Sequence, residues 1–140
     1  MPTKSLKNKK IEVSENSELI TNATKGKFPN LPFASMKNAV LGKKYDLSLV
    51  FATKGVLQKL NRLYRNKNKA TDILSFPLSD SAGEIFISLT EAKKESKKFG
   101  RNLENFVAFL FIHGLVHLKG FDHSSRMEAL ERKFRKKFGV

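Results

Sequence analysis

All three histidines of the chain fall within eleven residues, in the run His113-Gly-Leu-Val-His117-Leu-Lys-Gly-Phe-Asp-His123. Neutral imidazole is a good ligand for divalent transition metals, and spacing decides whether several rings can share one ion. His113 and His117 stand at i and i+4, so on a helix both project from one face. Gly120 accommodates a left-handed turn, after which the chain returns and brings His123 as a third ligand. Three neutral imidazoles with an open fourth position describe a catalytic zinc centre rather than a closed structural one. The competing reading is a chance cluster of histidines that pack or hydrogen-bond; the pair, the glycine and the third histidine together outweigh it. The expectation is one Zn²⁺ per chain on His113, His117 and His123.

The same spacing occurs in the metzincin proteases, but there a glutamate follows the first histidine and acts as general base. Here that residue is Gly114, which argues against a peptidase of that design. A base, if one is used, must come from elsewhere or be provided by the metal itself. Asp122, beside the third ligand, is better suited to orienting a ligand imidazole than to binding the ion. Arg65 ends a helical stretch just before a loop and strand, where a guanidinium reaches a phosphate bidentately. A structural ion pair between Arg65 and Asp72 is the alternative. Thr71 and Ser75 read equally as site hydroxyls and as strand packing.

These residues need a scaffold. Residues 106–118 are apolar nearly all round and predict a central buried helix, opened by Asn102 and ended by Gly120. A last helix over 125–138 directs Met127, Leu130, Phe134 and Phe138 inward and its basic residues outward. Ser88 and Glu91 form a capping box for a helix running to Phe99, stopped by Gly100. Thr53 caps a helix on which Val56, Leu57, Leu60, Leu63 and Tyr64 share one face. A short helix over 31–41 follows Pro29 and Pro32 and ends at Gly42. Strands are predicted at 11–13, 46–52, 71–77 and 84–88, the last two joined by a Ser/Asp/Gly loop. The expected fold is α+β, a single domain with about four strands in a mixed sheet packed against about five helices. Residues 1–10 read as a loose basic arm and residues 11–140 as the domain.

The chain has 140 residues, 27 Lys+Arg against 13 Asp+Glu, a formal net charge of +14 and no cysteine. The absence of cysteine excludes disulfides, thiolate metal sites and a cysteine nucleophile. No apolar run approaches the roughly 18 residues of a membrane span. The amino terminus lacks the apolar core of a signal peptide, so the expectation is a cytoplasmic protein with no membrane partner. The positive field favours phosphate polyanions or an anionic membrane surface, with nucleic acid the expected partner and the membrane the weaker reading; solvated lysines without a partner are the plain alternative.

The sequence also resembles the YbeY family of bacterial metal-dependent endoribonucleases. Residues 113–123 match the family signature His-Gly-x-Leu-His-Leu-x-Gly-Tyr-Asp-His, with Val116 for Leu and Phe121 for Tyr. Residues 60–68 are similar to its Leu-Asn-x-x-Tyr-Arg-x-Lys-Asp, and residues 71–77 to its Thr-Asp-Val-Leu-Ser-Phe-Pro. Residues 83–88 are similar to Gly-Asp-Ile-x-Ile-Ser, with Glu84 for the usual Asp, while Asn68 replaces another Asp. The resemblance implies zinc on His113, His117 and His123, and catalytic roles for His113 and for Arg65 facing the cleft. It further implies a single-strand-preferring endoribonuclease of ribosomal RNA maturation, at the 16S rRNA 3′ end, with rRNA and the small subunit as partners. Two other classes compete: a non-catalytic RNA-binding or ribosome factor with a structural metal, and a metallohydrolase of another substrate.

Overall fold

The computed structural model describes residues 15–122 and 124–140; the expected arm at 1–10, the strand expected at 11–13 and His123 lie outside them. After a helical turn at 15–19 come β1 (Ile20–Asn22), α1 (Phe33–Leu41), β2 (Asp46–Phe51) and α2 (Lys54–Arg65). Then follow β3 (Ile73–Ser79), β4 (Ala82–Ile87), α3 (Leu89–Lys98), α4 (Leu103–Leu118) and α5 (Ser125–Phe138). The strands form one mixed sheet in the order β1-β2-β4-β3, with β1, β2 and β4 parallel and β3 antiparallel to β4. This is the expected α+β fold on a four-stranded mixed sheet.

Strand alternation assigns the two faces of the sheet. Leu47, Leu49 and Phe51 of β2 and Ile85 and Ile87 of β4 are buried beneath α4, the helix that carries the histidine pair. That helix buries Phe106, Val107, Phe111, Ile112, Leu115 and Val116, which is why its apolar residues run nearly all round. On α5, Met127 and Phe134 are buried and Leu130 and Phe138 pack against the same core, as the period requires. The opposite face carries a small satellite core of Leu57 and Leu74 with Val50, Leu60, Phe76 and Phe86. Covering it takes only part of α2, so Val56, Leu63 and Tyr64, which share that helix face in the sequence pattern, remain exposed.

Local chemistry sets the helix limits. Thr53, Ser88, Asn102 and Ser124 each accept a backbone N–H of the first turn, from Val56, Glu91, Asn105 and Met127 respectively. The capping box at Ser88 is only half made, because Ser88 N–H donates to Asp72 O at 2.9 Å. The Glu91 carboxylate pairs instead with Lys94 at 3.3 Å and Lys54 at 3.8 Å. The β3–β4 connection is tighter than expected, a turn at Asp80 and Ser81 with a bulge at Pro77/Ser79. Pro77 is tolerated because β3 is an edge strand. Among the described residues no helix is long and apolar enough to cross a membrane.

Candidate active site

The histidine pair lies near the carboxyl end of α4, opposite the edge strand. The rings of His113 and His117 stand 4.7 Å apart between centroids, nearly perpendicular. His117 Nδ1 lies 3.0 Å from Phe121 O. A carbonyl oxygen only accepts, so His117 donates from Nδ1 and its ring lone pair is at Nε2. The contact depends on how the helix ends. Gly120, at φ +105°, closes a Schellman-type turn, with Gly120 N–H on His117 O at 2.9 Å and Phe121 N–H on Val116 O at 3.4 Å. The turn brings the Phe121 carbonyl back over the helix.

His113 is oriented from another element. Its Nδ1 is 2.7 Å from Glu131 Oε1 on α5, and Arg135 Nη1 lies 3.9 Å from the same oxygen. Glu131 is buried on the inward stripe of α5, with Met127 and Phe134. Both described imidazoles are therefore held through Nδ1, one by a carboxylate and one by a carbonyl. Metal-ligating histidines are characteristically held in this way, leaving Nε2 as the coordinating atom. The pair fits the expected metal on this ground. Among the described residues no group of three potential ligands assembles; the third expected ligand, His123, lies outside them.

Facing the pair across a cleft of about 180 Å³ are Arg65, Ile73, Leu74 and Ser75. Arg65 is the last residue of α2, and Asn66 beyond it turns left-handed at φ 56°. The guanidinium donates from Nη2 to Ser75 O at 2.6 Å and sits 5.4 Å from the Phe76 ring centre. No ion pair joins Arg65 to Asp72. Asp72 is instead half-buried; burial pushes its carboxyl above its ordinary value of 3.8, and hydrogen bonds from backbone N–H groups partly oppose that.

Gly114 packs α4 against the strands. A Cβ there would lie 2.9 Å from Ser75 Oγ, 3.0 Å from Ile73 Cδ1 and 3.1 Å from Ile85 Cδ1. The position that holds the protease glutamate is here filled by strand side chains. Ser75 thus serves the site twice, through its hydroxyl against Gly114 and its carbonyl on Arg65. Thr71 donates its hydroxyl to Ile73 O at 3.2 Å, a turn-closing bond. Asp122 is exposed, and the two described imidazoles take their Nδ1 partners elsewhere. Glu131 is the site residue that the sequence reading missed. Its signal was present, because it falls four residues after Met127 and three before Phe134 on the apolar stripe.

A basic α+β domain with a helix-borne histidine pair and an arginine across a small cleft has the donors to engage a phosphate-bearing substrate. Residues 6–139 match the family model described as Endoribonuclease YbeY. The chain belongs to the endoribonuclease YbeY family, nucleases that hydrolyse RNA phosphodiester bonds. It is 39% identical over 102 residues to the endoribonuclease YbeY of Nautilia profundicola, covering 68% of this chain and 73% of that protein. It is likewise 39% identical over 112 residues to that of Aster yellows witches'-broom phytoplasma, covering 70% and 77%. Its fold is similar to the solution structure of TM1509 from Thermotoga maritima, with a TM-score of 0.62, 23% identity and coverage of 85% and 88%.

Proposed function

We propose that the chain is a zinc-dependent endoribonuclease that cuts single-stranded RNA and acts in ribosomal RNA maturation, at the 3′ end of 16S rRNA on the small subunit. The observation that carries the reading is the cleft itself, in which two imidazoles held through Nδ1 face an exposed arginine. In this reading His113, His117 and His123 hold the ion, and Asp122 orients a ligand imidazole. When bound, zinc supplies Lewis acidity toward a phosphoryl oxygen and lowers the pKa of water.

The other steps belong to the chain. One donor of Arg65 is spent on Ser75 O, and the guanidinium has further N–H groups to donate to a phosphate oxygen as negative charge develops. Glu131 keeps the His113 proton on Nδ1 and the ring in one orientation. The net charge of +14 gathers the RNA backbone. The ribosomal assignment rests on the resemblance of the three motifs.

The test is metal analysis of the purified protein together with cleavage of single-stranded and duplex RNA, with and without chelator. One zinc per chain and chelator-sensitive cleavage of the single strand are expected. Full cleavage by a metal-free His117→Ala protein would overturn the zinc assignment, and RNA binding without cleavage would favour a non-catalytic factor.

A further inference from the structure

Tyr64 precedes the cleft arginine and is 70% exposed, while Leu63 before it is 58% exposed. Tyr64 nonetheless has a fixed neighbour. Its ring lies 5.7 Å from that of Phe76 at 65°, and Phe76 in turn lies 5.9 Å from Phe86 at 74°. Arg65 stands over the same Phe76 ring while its Nη2 holds the Ser75 carbonyl. Alternation on β3 sends the Ser75 side chain toward α4 and the histidines, and the Phe76 side chain toward α2. Arg65 therefore spans the outer edge of β3 and joins the histidine side of that strand to the aromatic side.

We propose that Tyr64, backed by Phe76, is a stacking platform for an unpaired base of the RNA strand whose phosphate lies at Arg65. The proposal deepens the endoribonuclease reading and rests on it. A strand whose phosphate meets Arg65 crosses the β3 edge and lays a neighbouring base on the exposed aromatic ring. The surroundings select a polyanion rather than a protein surface: residues 54–69 contain Lys54, Lys59, Arg62, Arg65, Lys67 and Lys69 and no acidic residue. A fixed aromatic ring inside a cationic rim is the usual construction for single-stranded nucleic acid, because every base has a π-face and every linkage a charge.

Equilibrium binding of a labelled single-stranded oligoribonucleotide, measured in chelator so that no cleavage intervenes, tests the platform. Cleavage by the zinc-loaded protein, assayed separately, tests the endoribonuclease reading. Tyr64→Ala should weaken binding by about tenfold, within the range known for loss of one stacked base. Tyr64→Phe should bind as the wild type does, whereas Tyr64→Leu should resemble Tyr64→Ala. One abasic nucleotide in the oligonucleotide should cost the wild type a similar factor and cost Tyr64→Ala nothing further. The melting temperature should hold in all three variants, since the ring is mostly in water. Wild-type affinity in Tyr64→Ala, or equal binding by the Leu and Phe variants, overturns the platform and leaves the patch to a protein contact. A wild type that loses binding on Tyr64→Ala yet never cleaves RNA retains the platform and overturns the endoribonuclease reading instead.

Discussion

Removing Glu131 tests whether the site is built around the tautomer of His113. The Glu131 carboxylate accepts from His113 Nδ1 at 2.7 Å, with its side chain only 10% exposed. In Glu131→Ala the ring loses a charge-assisted hydrogen bond, a contact class worth about 1.5–3 kcal/mol. The proton is then no longer confined to Nδ1, and Nε2 carries it for part of the time and cannot ligate. An independent route gives a similar size, since loss of a partner to a ligand histidine costs about 10–100-fold in metal affinity, or ~1.4–2.8 kcal/mol. Zinc affinity, measured by competition with a chromophoric chelator, should therefore fall by that factor in Glu131→Ala. Glu131→Gln, which keeps an acceptor oxygen, should recover most of it. Arg135 also loses its partner at 3.9 Å, so Arg135→Gln serves as the control and should leave zinc affinity within about threefold, as for a residue that touches no ligand. A folded Glu131→Ala protein that binds zinc within twofold of the wild type would refute the argument.

Arg65→Ala should keep metal and fold but lose single-turnover RNA cleavage by about a hundredfold or more, and Arg65→Lys should recover little, because a point charge does not reproduce the planar fork. Normal turnover in folded Arg65→Ala would remove Arg65 from the mechanism. Gly114→Val should lose about 1–3 kcal/mol or more in denaturant unfolding, since its Cβ already meets Ser75, Ile73 and Ile85 at 2.9–3.1 Å; an unchanged midpoint would show that α4 does not lie so close to the strands. Asp72 has its carboxyl raised above 3.8 by burial, so its ionisation opposes folding as pH rises above that value and costs nothing well below it. Asp72→Asn in chelator should therefore melt above the wild type at pH 7, with the gap closing as pH falls toward 3.8; a constant gap would mean that ionisation is not the cause.

What the sequence disclosed is what local physics determines. The histidine pair, the helix ends at Gly42, Gly100 and Gly120 and the caps at Thr53, Ser88 and Asn102 depend on residues within one or two turns, and each appears where its spacing requires. β1 is different. Ile20-Thr21-Asn22 has no alternation to detect and exists as a strand because β2 offers it a parallel edge, a pairing made across more than twenty residues. The α2 pattern had the right period but not the width of the surface beneath it: the satellite core covers Leu57 and Leu60 and leaves Leu63 and Tyr64 in water. Glu131 stood on the apolar stripe but looked like one carboxylate among the many charges of α5; its distinction is the half-buried histidine partner eighteen residues earlier.

Two features that look separate in the sequence, the missing glutamate and the arginine, share one geometric cause. Arg65 is held on Ser75 O of the edge strand, and His113 and His117 are on α4. To bring the rings and the guanidinium to the same small cleft, α4 must lie close on β3, and at position 114 the approach leaves no room for a Cβ. Only hydrogen fits there without moving Ser75, Ile73 or Ile85. A glutamate at that position would have to displace those side chains, among them that of Ser75, whose carbonyl holds Arg65. On this helix the position after the first imidazole is thus given to contact with the arginine-clamped strand rather than to a carboxylate. The helix–strand contact at Gly114 therefore goes with an arginine, not a carboxylate, facing the imidazole pair across the cleft.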